Sequence, residues 1–459
     1  MEPPSATNSN FRRHAPKPLR VIVVGAGISG LAAGLAFALS GHSVVVLESV
    51  DELAEVGAGL QLAPNCTCIL RRLGILEDVM KHASVLSGVS IRRYDSDDEL
   101  GLSPLDVLGQ RYRSPMAVIH RADLHRILLD AARRSGCHIL LSHTVVAADP
   151  QFLPRVQAIR SETGTTVWFN GDVVLAADGI KSMLRRQMAQ AGGHQDRRIP
   201  TRDAAYRLLI PRERIQHDKL LLSMLDQNVA MRYMGPGGHV MAYPVKGNTV
   251  YNMVLIHPDH SDDTEDSTWA TQGDREAMLS FYSSWSPAIR AWLAHAGDDI
   301  VEWKLSERAP LPQRVRGSVA LIGDAAQPML PYVAQGAASG IEDAGVLAAA
   351  FTCTSDVLLA LAVYETVRKR RAERIAASAA ATGRALHLPD SPEQRARDEA
   401  IKNQGRGQAA ASQDKWRDVE WQNYMWGTDV MRHTIQSWDE LVAQVRKQQK
   451  RAGKISSSI

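Results

Sequence analysis

The sequence predicts an α/β protein in which a mainly antiparallel sheet is inserted into an open parallel sheet, with helices at the C-terminal end. A strand, a glycine-rich turn and a helix follow one another in residues 21–48. Two later apolar runs end beside an aspartate and a glycine, at 178–179 and 323–324. Between these two ends lie strand-like runs broken by Gly, Pro and Asn. This order indicates a Rossmann-like domain interrupted by a second domain.

The composition indicates a protein that acts on small molecules. Its 459 residues suffice for two to three domains. Lys and Arg number 53 against 50 Asp and Glu, and a net charge of +3 gives no reason to expect a nucleic-acid or membrane surface. The four cysteines lack the spacing of metal ligands. We therefore expect no metal site and reduced thiols in an intracellular protein.

Changes in composition divide the chain into predicted domains. Residues 1–18 are rich in Pro, Ser and Asn and are expected to be a disordered lead-in. We expect 19–190 and 306–375 to form the Rossmann-like domain, 191–305 the inserted sheet domain, and 376–459 a helical region. No run reaches the ~18 apolar residues of a membrane-spanning helix. A soluble, cytoplasmic protein is therefore predicted.

The glycine-rich turn has the register of a dinucleotide-binding clamp. Val21 to Val24 form a β-branched run that suits a buried parallel strand. Gly25, Gly27 and Gly30 follow in G-x-G-x-x-G order. The first permits a tight turn, the second lets backbone approach a pyrophosphate, and the third lets the helix pack on the strand. The helix, predicted to stop at Gly41, directs its free N–H groups at the phosphates.

Glu48 closes this unit at the end of a second predicted strand, residues 43–47. A carboxylate there is placed to accept hydrogen bonds from a ribose diol, and its charge would repel a 2′-phosphate. Because strand, helix and acid all stand at the required spacing, we interpret residues 21–48 as an adenine-dinucleotide site. These residues alone leave both FAD and NAD open.

The two later strand ends are predicted to extend the same ligand-binding edge. One apolar run precedes Asp178-Gly179, and a second precedes Gly323-Asp324 and a loop into a helix near Gln335. Open α/β sheets bind ligands at the carboxyl ends of their strands. The N-terminus of the last helix would suit a flavin ring that accumulates negative charge. Taken alone, an Asp-Gly pair is more often a simple turn.

Three motifs in this order resemble the single-component FAD-dependent aromatic hydroxylases, the group A flavoprotein monooxygenases of the PHBH fold. They are the GAGISG turn with Glu48, the AADG segment with Ser182 and Arg185, and the GDAAQP segment with Gln335-Gly336 and Glu342-Asp343. The resemblance runs from about residue 20 to about residue 375 and is closest to the salicylate-hydroxylase-like branch. The HR-A-D-L, GPGGH-x-x-AYPV and YN-x-V segments fall where that branch has them. One position departs, because Gln327 stands where the family usually has His.

The resemblance implies an FAD-binding domain of the glutathione-reductase type and assigns its residues. Glu48 would bind the adenosine ribose, and the glycines at 25, 27 and 30 the pyrophosphate. Further contacts are implied for Gly59 near the flavin, Arg121 on the FAD, Asp178 in a motif linked to FAD and NADPH, Asp324 on the ribityl chain, and Gly336 and Ala337 as N–H donors to the ring. Without the resemblance, a solvated arginine is the simpler interpretation of Arg121. NAD(P)H is expected as a transient co-substrate, since no second nucleotide unit is evident.

The runs within 191–305, among them 219–225, are expected to form a substrate-binding sheet over the flavin. His239 and Tyr243 are four residues apart and would share one face of a strand. In related hydroxylases a His and a Tyr at this spacing line the substrate site, and the resemblance places Arg207 there also. The alternative is that Tyr243 packs before the following proline and that His239 is an ordinary surface histidine.

The implied function is hydroxylation of a phenol or aromatic acid with NAD(P)H and O2 through a flavin C4a-hydroperoxide, with or without loss of a carboxylate. His239 and Tyr243 would help to remove a phenol proton, while Arg207 would hold the anion. One alternative is an FAD-dependent epoxidase or hydroxylase of a non-aromatic, indole or terpenoid metabolite, which a pocket without ionisable residues would favour. Another is a non-catalytic dinucleotide-binding protein. A monomer or homodimer is expected.

The C-terminal region is predicted to be helical with one interruption. Residues 389–415 are polar and are predicted to be rich in loops. The basic run from Arg368 to Arg374 is interpreted as a solvated helix face rather than a binding patch.

Overall fold

The computed structural model describes residues 13–53, 57–259, 270–405, 416 and 418–456. Most of the predicted disordered lead-in, residues 1–12, lies outside the described residues. The strands are, in chain order, β1 Arg20–Val24, β2 Ser43–Leu47, β3 Gly59–Leu62, β4 Gly88–Arg93, β5 Glu99–Pro104, β6 Ala117–His120, β7 His138–Leu140, β8 His143–Ala148, β9 Arg155–Arg160, β10 Thr166–Asn170, β11 Val173–Ala176, β12 Arg198–Pro211, β13 Val229–Gly235, β14 Gly238–Val245, β15 Val250–Pro258, β16 Ala270–Gln272, β17 Val301–Arg308, β18 Val315–Arg316 and β19 Val319–Leu321.

The helices alternate with the strands in the first part of the chain and follow one another at its end. They are α1 Ile28–Leu39, α2 Pro64–Arg72, α3 Leu76–Met80, α4 Asp106–Arg111, α5 Arg121–Arg134, α6 Met183–Ala191, α7 Lys219–Asp226, α8 Arg275–Phe281, α9 Pro287–Ala294, α10 Gly336–Cys353, α11 Val357–Leu386, α12 Pro392–Gly405, α13 Val419–Met425, α14 Val430–Gln436 and α15 Trp438–Ser456. Short 3₁₀ turns occupy Arg212–Ile215, Tyr282–Ser284 and Gly323–Ala325.

A six-stranded sheet in the order β18-β19-β11-β1-β2-β7 forms the Rossmann-like part. All its neighbouring strands are parallel except β18 and β19. Because β1, β11 and β19 are adjacent and parallel, their carboxyl ends bring the three sequence motifs to one edge. α1 packs its apolar side chains, including Leu31 and Leu35, into a core shared with α5, α10 and α11. The strand, turn and helix predicted for residues 21–48 are thus confirmed.

An eight-stranded sheet in the order β16-β17-β12-β15-β14-β13-β4-β5 forms the second layer. Only β13 and β4 are parallel within it. One face packs against α7, α8 and α9, because alternate residues of β12 to β15 point into their apolar cluster. The other face looks toward the Rossmann-like edge. The predicted α/β fold with an inserted, mainly antiparallel sheet is confirmed, and β4 and β5 add strands from before residue 190. The domain boundaries themselves remain predictions.

Two local predictions of secondary structure were wrong. Residues 219–225 form helix α7 rather than a strand, because Asp218 caps the helix by accepting hydrogen bonds from Leu220 N and Leu221 N. The polar stretch predicted to be loop-rich contains helix α12 over Pro392–Gly405. No helix among the described residues is long and apolar enough to cross a membrane.

Candidate active site

The glycine-rich turn between β1 and α1 leaves bare backbone beside a helix N-terminus. A Cβ atom on Gly30 would lie 2.0 Å from the Gly25 carbonyl oxygen, and one on Gly25, where φ is +97°, would lie 2.6 Å from Ala177 O. At Gly27 the same test finds no described atom within 4 Å. Gly25 and Gly30 therefore permit close packing, whereas Gly27 exposes backbone to open space. This arrangement fits a pyrophosphate.

Glu48 lies at the carboxyl end of β2 and is held beside this turn. Ala26 N–H donates to its Oε2 at 2.7 Å, and Ser49 N–H donates to Oε1 at 2.7 Å. The Ser49 hydroxyl donates to Oε1 as well, at 2.9 Å. These donors fix the carboxylate at the place where the sequence predicts ribose binding, and that role remains a prediction.

Asp178, at the end of β11, organises the start of α6. Its carboxylate accepts a hydrogen bond from the Ser182 hydroxyl at 2.6 Å, and Ser182 caps the helix by accepting from Arg185 N. Burial raises the pKa of Asp178, although the Ser182 hydrogen bond opposes this change. The neighbouring Ala177 and Gly179 line the central cavity described below. The structure therefore gives Asp178 a helix-organising position, and its predicted cofactor contact stays untested.

Arg185 connects the second motif to the third. Its side chain is buried, pairs with Asp196 at 2.8 Å, and donates to the carbonyl oxygens of Ala309, Ala325 and Ala326 at 2.6, 3.2 and 2.7 Å. This arginine holds the segment that follows β19 against α6.

The third motif places the N-terminus of α10 at the cavity. The Gly323 N–H donates to Asp343 Oδ2 at 2.9 Å, which ties the 3₁₀ turn to α10. Asp324, Gly336 and Ala337 line the cavity, and a Cβ atom on Gly336 would meet no described atom within 4 Å. Desolvation raises the pKa of the Asp324 carboxyl, and the positive charge of Arg121 opposes this shift. An open helix N-terminus beside a carboxylate fits the ring and sugar chain of a flavin.

Buried ion pairs join α10 to α11. Arg368 pairs with Glu342 and also with Asp343, at 2.7 Å, and Arg371 pairs with Glu342 at 2.7 Å. Asn65 of α2 donates to Glu342 at 2.8 Å. The interpretation of the basic run 368–374 as a solvated face was wrong for Arg368, which is fully buried, and for Arg371, which is nearly so, whereas Arg370 and Arg374 are exposed. The two buried arginines lie on the face of α11 that packs on α10, where two carboxylates require charge partners.

A cavity of about 350 Å³ lies between the Rossmann-like edge and the eight-stranded sheet. Of the predicted cofactor residues, it is lined by Gly27, Gly59, Arg121, Asp324, Gly336 and Ala337. All three predicted substrate residues, Arg207, His239 and Tyr243, line it as well. Gly25, Gly30, Glu48 and Asp178 do not line it. The structure thus brings most of the predicted site together around one space.

Strand register explains the sheet wall of this cavity. On β14, His239 and Tyr243 share a face with Met241, and their partners on β15 are Ile256, Asn252 and Val254 respectively. Arg207 of β12 pairs with the same Val254 from the other side of β15. The predicted shared face of the His–Tyr pair is therefore confirmed, and His239 is buried rather than a surface histidine.

Sequence reasoning missed Asn252 as the residue that joins the two walls. The Gly59 N–H donates to Asn252 Oδ1 at 2.7 Å. A Cβ atom on Gly59 would lie 2.7 Å from Tyr243 Cε2 and 2.7 Å from Asn252 Cγ. The YN-x-V segment was a signal for this residue, but the local pattern does not show what its amide contacts.

Burial shifts the pKa values of the ionisable side chains on the sheet wall. Burial lowers the pKa of Arg207 and raises that of Tyr243, while each group partly offsets the shift of the other. Burial lowers the pKa of His239 well below its usual value, and the neighbouring His387 imidazole and the Arg232 guanidinium act in the same direction. Among the described residues, Arg207 Nε has no hydrogen-bond partner. A buried donor without a partner is costly, which suggests a polar ligand there.

A family model described as an FAD binding domain matches residues 18–379. The chain belongs to this FAD-binding family. Its cofactor is therefore FAD, as predicted, and the bare backbone at Gly27 and Gly336 fits that cofactor. Membership also decides between the two dinucleotides that the first motif had left open.

The relatives are monooxygenases. An FAD-dependent monooxygenase, OpS4, from Beauveria bassiana (strain ARSEF 2860) is 34% identical over 423 residues, which cover 90% of this chain and 96% of that protein. A 3-hydroxybenzoate 6-hydroxylase from Aquipseudomonas alcaligenes is 34% identical over 359 residues, covering 77% and 86%. A salicylate hydroxylase structure with substrate superposes with a TM-score of 0.72 at 26% identity, covering 93% of this chain and 98% of that one. The predicted class, an FAD-dependent monooxygenase of the aromatic hydroxylase family, is confirmed.

Gln327 occupies the position at which this FAD-binding chain departs from the expected motif. The side chain is buried, its backbone N–H donates to Gly323 O at 2.9 Å, and its Oε1 accepts from Arg314 Nη2 at 3.5 Å. Gln327 therefore serves the packing of the turn after β19.

Proposed function

We propose that this protein uses NAD(P)H and O2 to hydroxylate a phenol that carries an anionic substituent, such as a carboxylate. The observation that carries the proposal is the cavity in which the cofactor residues face Arg207, His239 and Tyr243. A pocket without ionisable residues would have favoured a non-aromatic, indole or terpenoid substrate. Relatives named as hydroxybenzoate hydroxylases support the same substrate class.

Arg207 is the residue proposed to hold the anion. Its guanidinium lines the cavity and lies 5.6 Å from the Trp303 ring centroid, so the aromatic ring helps to orient it. A guanidinium can bind a carboxylate through two parallel hydrogen bonds, and the unpartnered Nε supplies one donor. This contact would fix which ring carbon of the substrate faces the cofactor.

Tyr243 and His239 are proposed to share the handling of the phenol proton. Because burial raises the pKa of Tyr243, this residue stays protonated near neutral pH and can donate a hydrogen bond to the substrate oxygen. Because the pKa of His239 is lowered, its imidazole is neutral and can accept a proton. A phenolate ring is richer in electrons than a phenol ring, so removal of this proton promotes oxygen transfer.

Bound FAD would supply the reducing equivalents taken from NAD(P)H and the activation of O2. The residues proposed to hold it are Gly27, Gly336 and Ala337 through backbone N–H groups, together with Glu48, Arg121 and Asp324. Apolar side chains of the sheet wall, Met241, Val254 and Ile256, line the same cavity and would exclude water from the reacting atoms.

An absorbance spectrum followed by NAD(P)H consumption tests the proposal. The purified protein should show oxidised flavin bands near ~375 and ~450 nm. Hydroxybenzoates should accelerate NADH or NADPH oxidation, and the product should carry one oxygen atom from ¹⁸O2. A matched set of neutral phenols without the carboxylate should be weaker substrates. A yellow protein whose NAD(P)H oxidation no phenol stimulates would contradict the phenolic substrate and would favour either a non-aromatic, indole or terpenoid substrate or a dinucleotide-binding protein without turnover.

A further inference from the structure

Behind His239, polar side chains continue away from the cavity. His239 Nδ1 lies 2.7 Å from Nε2 of His387, which directly follows α11. On its other side, His387 Nδ1 lies 3.8 Å from Oδ2 of Asp203 on β12, which is within ion-pair distance. The Tyr332 hydroxyl donates to the same Asp203 oxygen at 2.8 Å. Four residues from four separate segments of the chain therefore lie along one polar path, in which the His387–Asp203 link is longer than a hydrogen bond.

The rings along this path are packed tightly enough to hold their order. The His239 and His387 rings stack with centroids 5.0 Å apart, and Tyr332 lies edge-on to them at 5.3 and 5.6 Å. Gly383 of α11 makes room, because a Cβ atom there would lie 2.5 Å from the Tyr332 ring. The exposed side-chain fraction is 12% at His387 and 21% at Asp203, whereas His239 as a residue is only 4% exposed. The path thus runs from the cavity wall toward solvent.

Burial, assisted by nearby arginines, keeps both imidazoles neutral. Burial and, to a smaller extent, the positive charge of Arg397 lower the pKa of His387 to about 4. Arg232 acts in the same way on His239. On the acidic side, burial raises the pKa of Asp203, while the Tyr332 hydrogen bond and His257 lower it, and Glu307 is the other carboxylate near Tyr332. A neutral imidazole can accept a proton at one ring nitrogen and release one from the other.

We propose that His387 and Asp203 form a relay that carries the substrate's phenol proton from His239 to solvent. The phenol O–H bond breaks as a bond forms to His239 Nε2, the Nδ1 proton of His239 passes to His387 Nε2, and the Nδ1 proton of His387 passes to the Asp203 carboxylate, which releases it to water. Protons balance at each transfer, and no electrons are exchanged. His387 touches no substrate and acts through His239. The inference rests on the proposed phenolic substrate.

The ionisation of a bound chromophoric phenol tests the relay without turnover. The FAD-loaded enzyme is mixed in a stopped-flow instrument with 4-hydroxy-3-nitrobenzoate, a nitrophenol that carries the carboxylate of the proposed substrate, at mildly acidic pH, and the visible absorbance of the phenolate reports deprotonation. His387→Gln keeps a hydrogen-bonding group beside His239 but cannot pass a proton, and His387→Phe keeps only the ring. Both variants should slow ionisation about 10- to 100-fold while nitrophenol affinity changes by less than about twofold. Asp203→Asn, which keeps the shape of the acceptor, should slow it in the same direction.

The matched control is His217→Gln, which changes an exposed histidine away from the path. This variant should ionise the bound nitrophenol at the rate of the parent enzyme. If His387→Gln also matches the parent while His387→Phe is slow, His387 only supports His239 through a hydrogen bond, and the relay is overturned. A parent enzyme that retains FAD but ionises no bound phenol would overturn the phenolic substrate itself, and the relay with it. This last result appears before any substitution is made, so the two failures are distinguishable.

Discussion

The two walls of the cavity recognise their ligands by different means. The Rossmann-like wall presents mainly backbone, at Gly27 and at the N-termini of α1 and α10, beside the side chains of Arg121 and Asp324. The sheet wall presents the side chains of Arg207, His239 and Tyr243. Backbone recognition requires glycine at fixed local spacing, so it leaves a motif in the sequence. Side-chain recognition depends on strand register across long stretches of chain, so it leaves only scattered residues.

The largest loss of stability should come from a substitution at Gly30, in the glycine-rich turn of the Rossmann-like wall. In Gly30→Ala the Cβ atom would lie 2.0 Å from the Gly25 carbonyl oxygen, and neither backbone segment can move without disturbing β1 or α1. We expect a loss of at least about 4 kcal/mol in the free energy of unfolding, measured by urea denaturation. Gly27→Ala is the matched control, because its Cβ meets no described atom within 4 Å. That variant should fold normally but bind FAD weakly, and equal stability losses in both variants would contradict this division of roles.

Loss of the ion pairs that hold α10 in the Rossmann-like wall should reduce stability nearly as much. Arg368→Met would leave Glu342 and Asp343 buried without one of their partners. Removing one member of a buried ion pair costs about 3–5 kcal/mol, and urea unfolding would measure the loss. Arg370→Met, at an exposed position of the same helix, should change stability by less than about 0.5 kcal/mol. Similar values for the two variants would show that Arg368 is not a structural partner.

The ion pairs of Glu342 with Arg368 and Arg371 also predict how the free energy of unfolding changes in acid. Burial alone would raise the pKa of Glu342, but Arg371 and Arg368 lower it to about 2. Because the folded-state pKa lies below the usual 4.5, the carboxylate stabilises the fold above that usual value and loses this contribution as the pH falls toward 2. The free energy of unfolding should therefore decline over this interval. Glu342→Gln should flatten that part of the profile, and an unchanged slope would rule out this assignment.

The difference between backbone and side-chain recognition also explains which features can be predicted from the sequence. The local spacing of Gly25, Gly27 and Gly30 was sufficient to predict a turn that is built from adjacent residues. Asn252 contacts Gly59 across almost 200 positions, and His387 reaches His239 from the end of α11, so no local pattern could place either contact. The burial of Arg368 was missed because a basic run looks solvated until the carboxylates that neutralise it are located.

On the sheet wall, Arg207→Met should weaken the binding of anionic substrates without affecting FAD. A hydrogen bond to a charged group contributes about 1.5–3 kcal/mol, which corresponds to a rise in Kd of about 10- to 150-fold for a hydroxybenzoate. Isothermal titration of the FAD-loaded enzyme would measure it. Arg202→Met, on the same strand but exposed, should leave the Kd unchanged. If a neutral phenol lost as much affinity as the acid, Arg207 would be shaping the cavity rather than binding the anion.

The smallest effect is expected at Gly59, where the two walls meet. In Gly59→Ala the new methyl group would lie 2.7 Å from both Tyr243 Cε2 and Asn252 Cγ, so both side chains must shift, whereas at Gly30 the obstacle is the backbone of Gly25. Overpacking of this kind should cost about 1 kcal/mol, the low end of its usual range. FAD should be retained, while the hydroxybenzoate Kd should rise by less than in Arg207→Met, because Tyr243 is displaced and not removed. Gly109→Ala, whose Cβ would have only Pro115 Cα nearby at 3.9 Å, controls for the added methyl. Loss of FAD from the Gly59 variant would show that this residue belongs to the Rossmann-like wall, and the boundary between the two modes of recognition would have to be moved to β15.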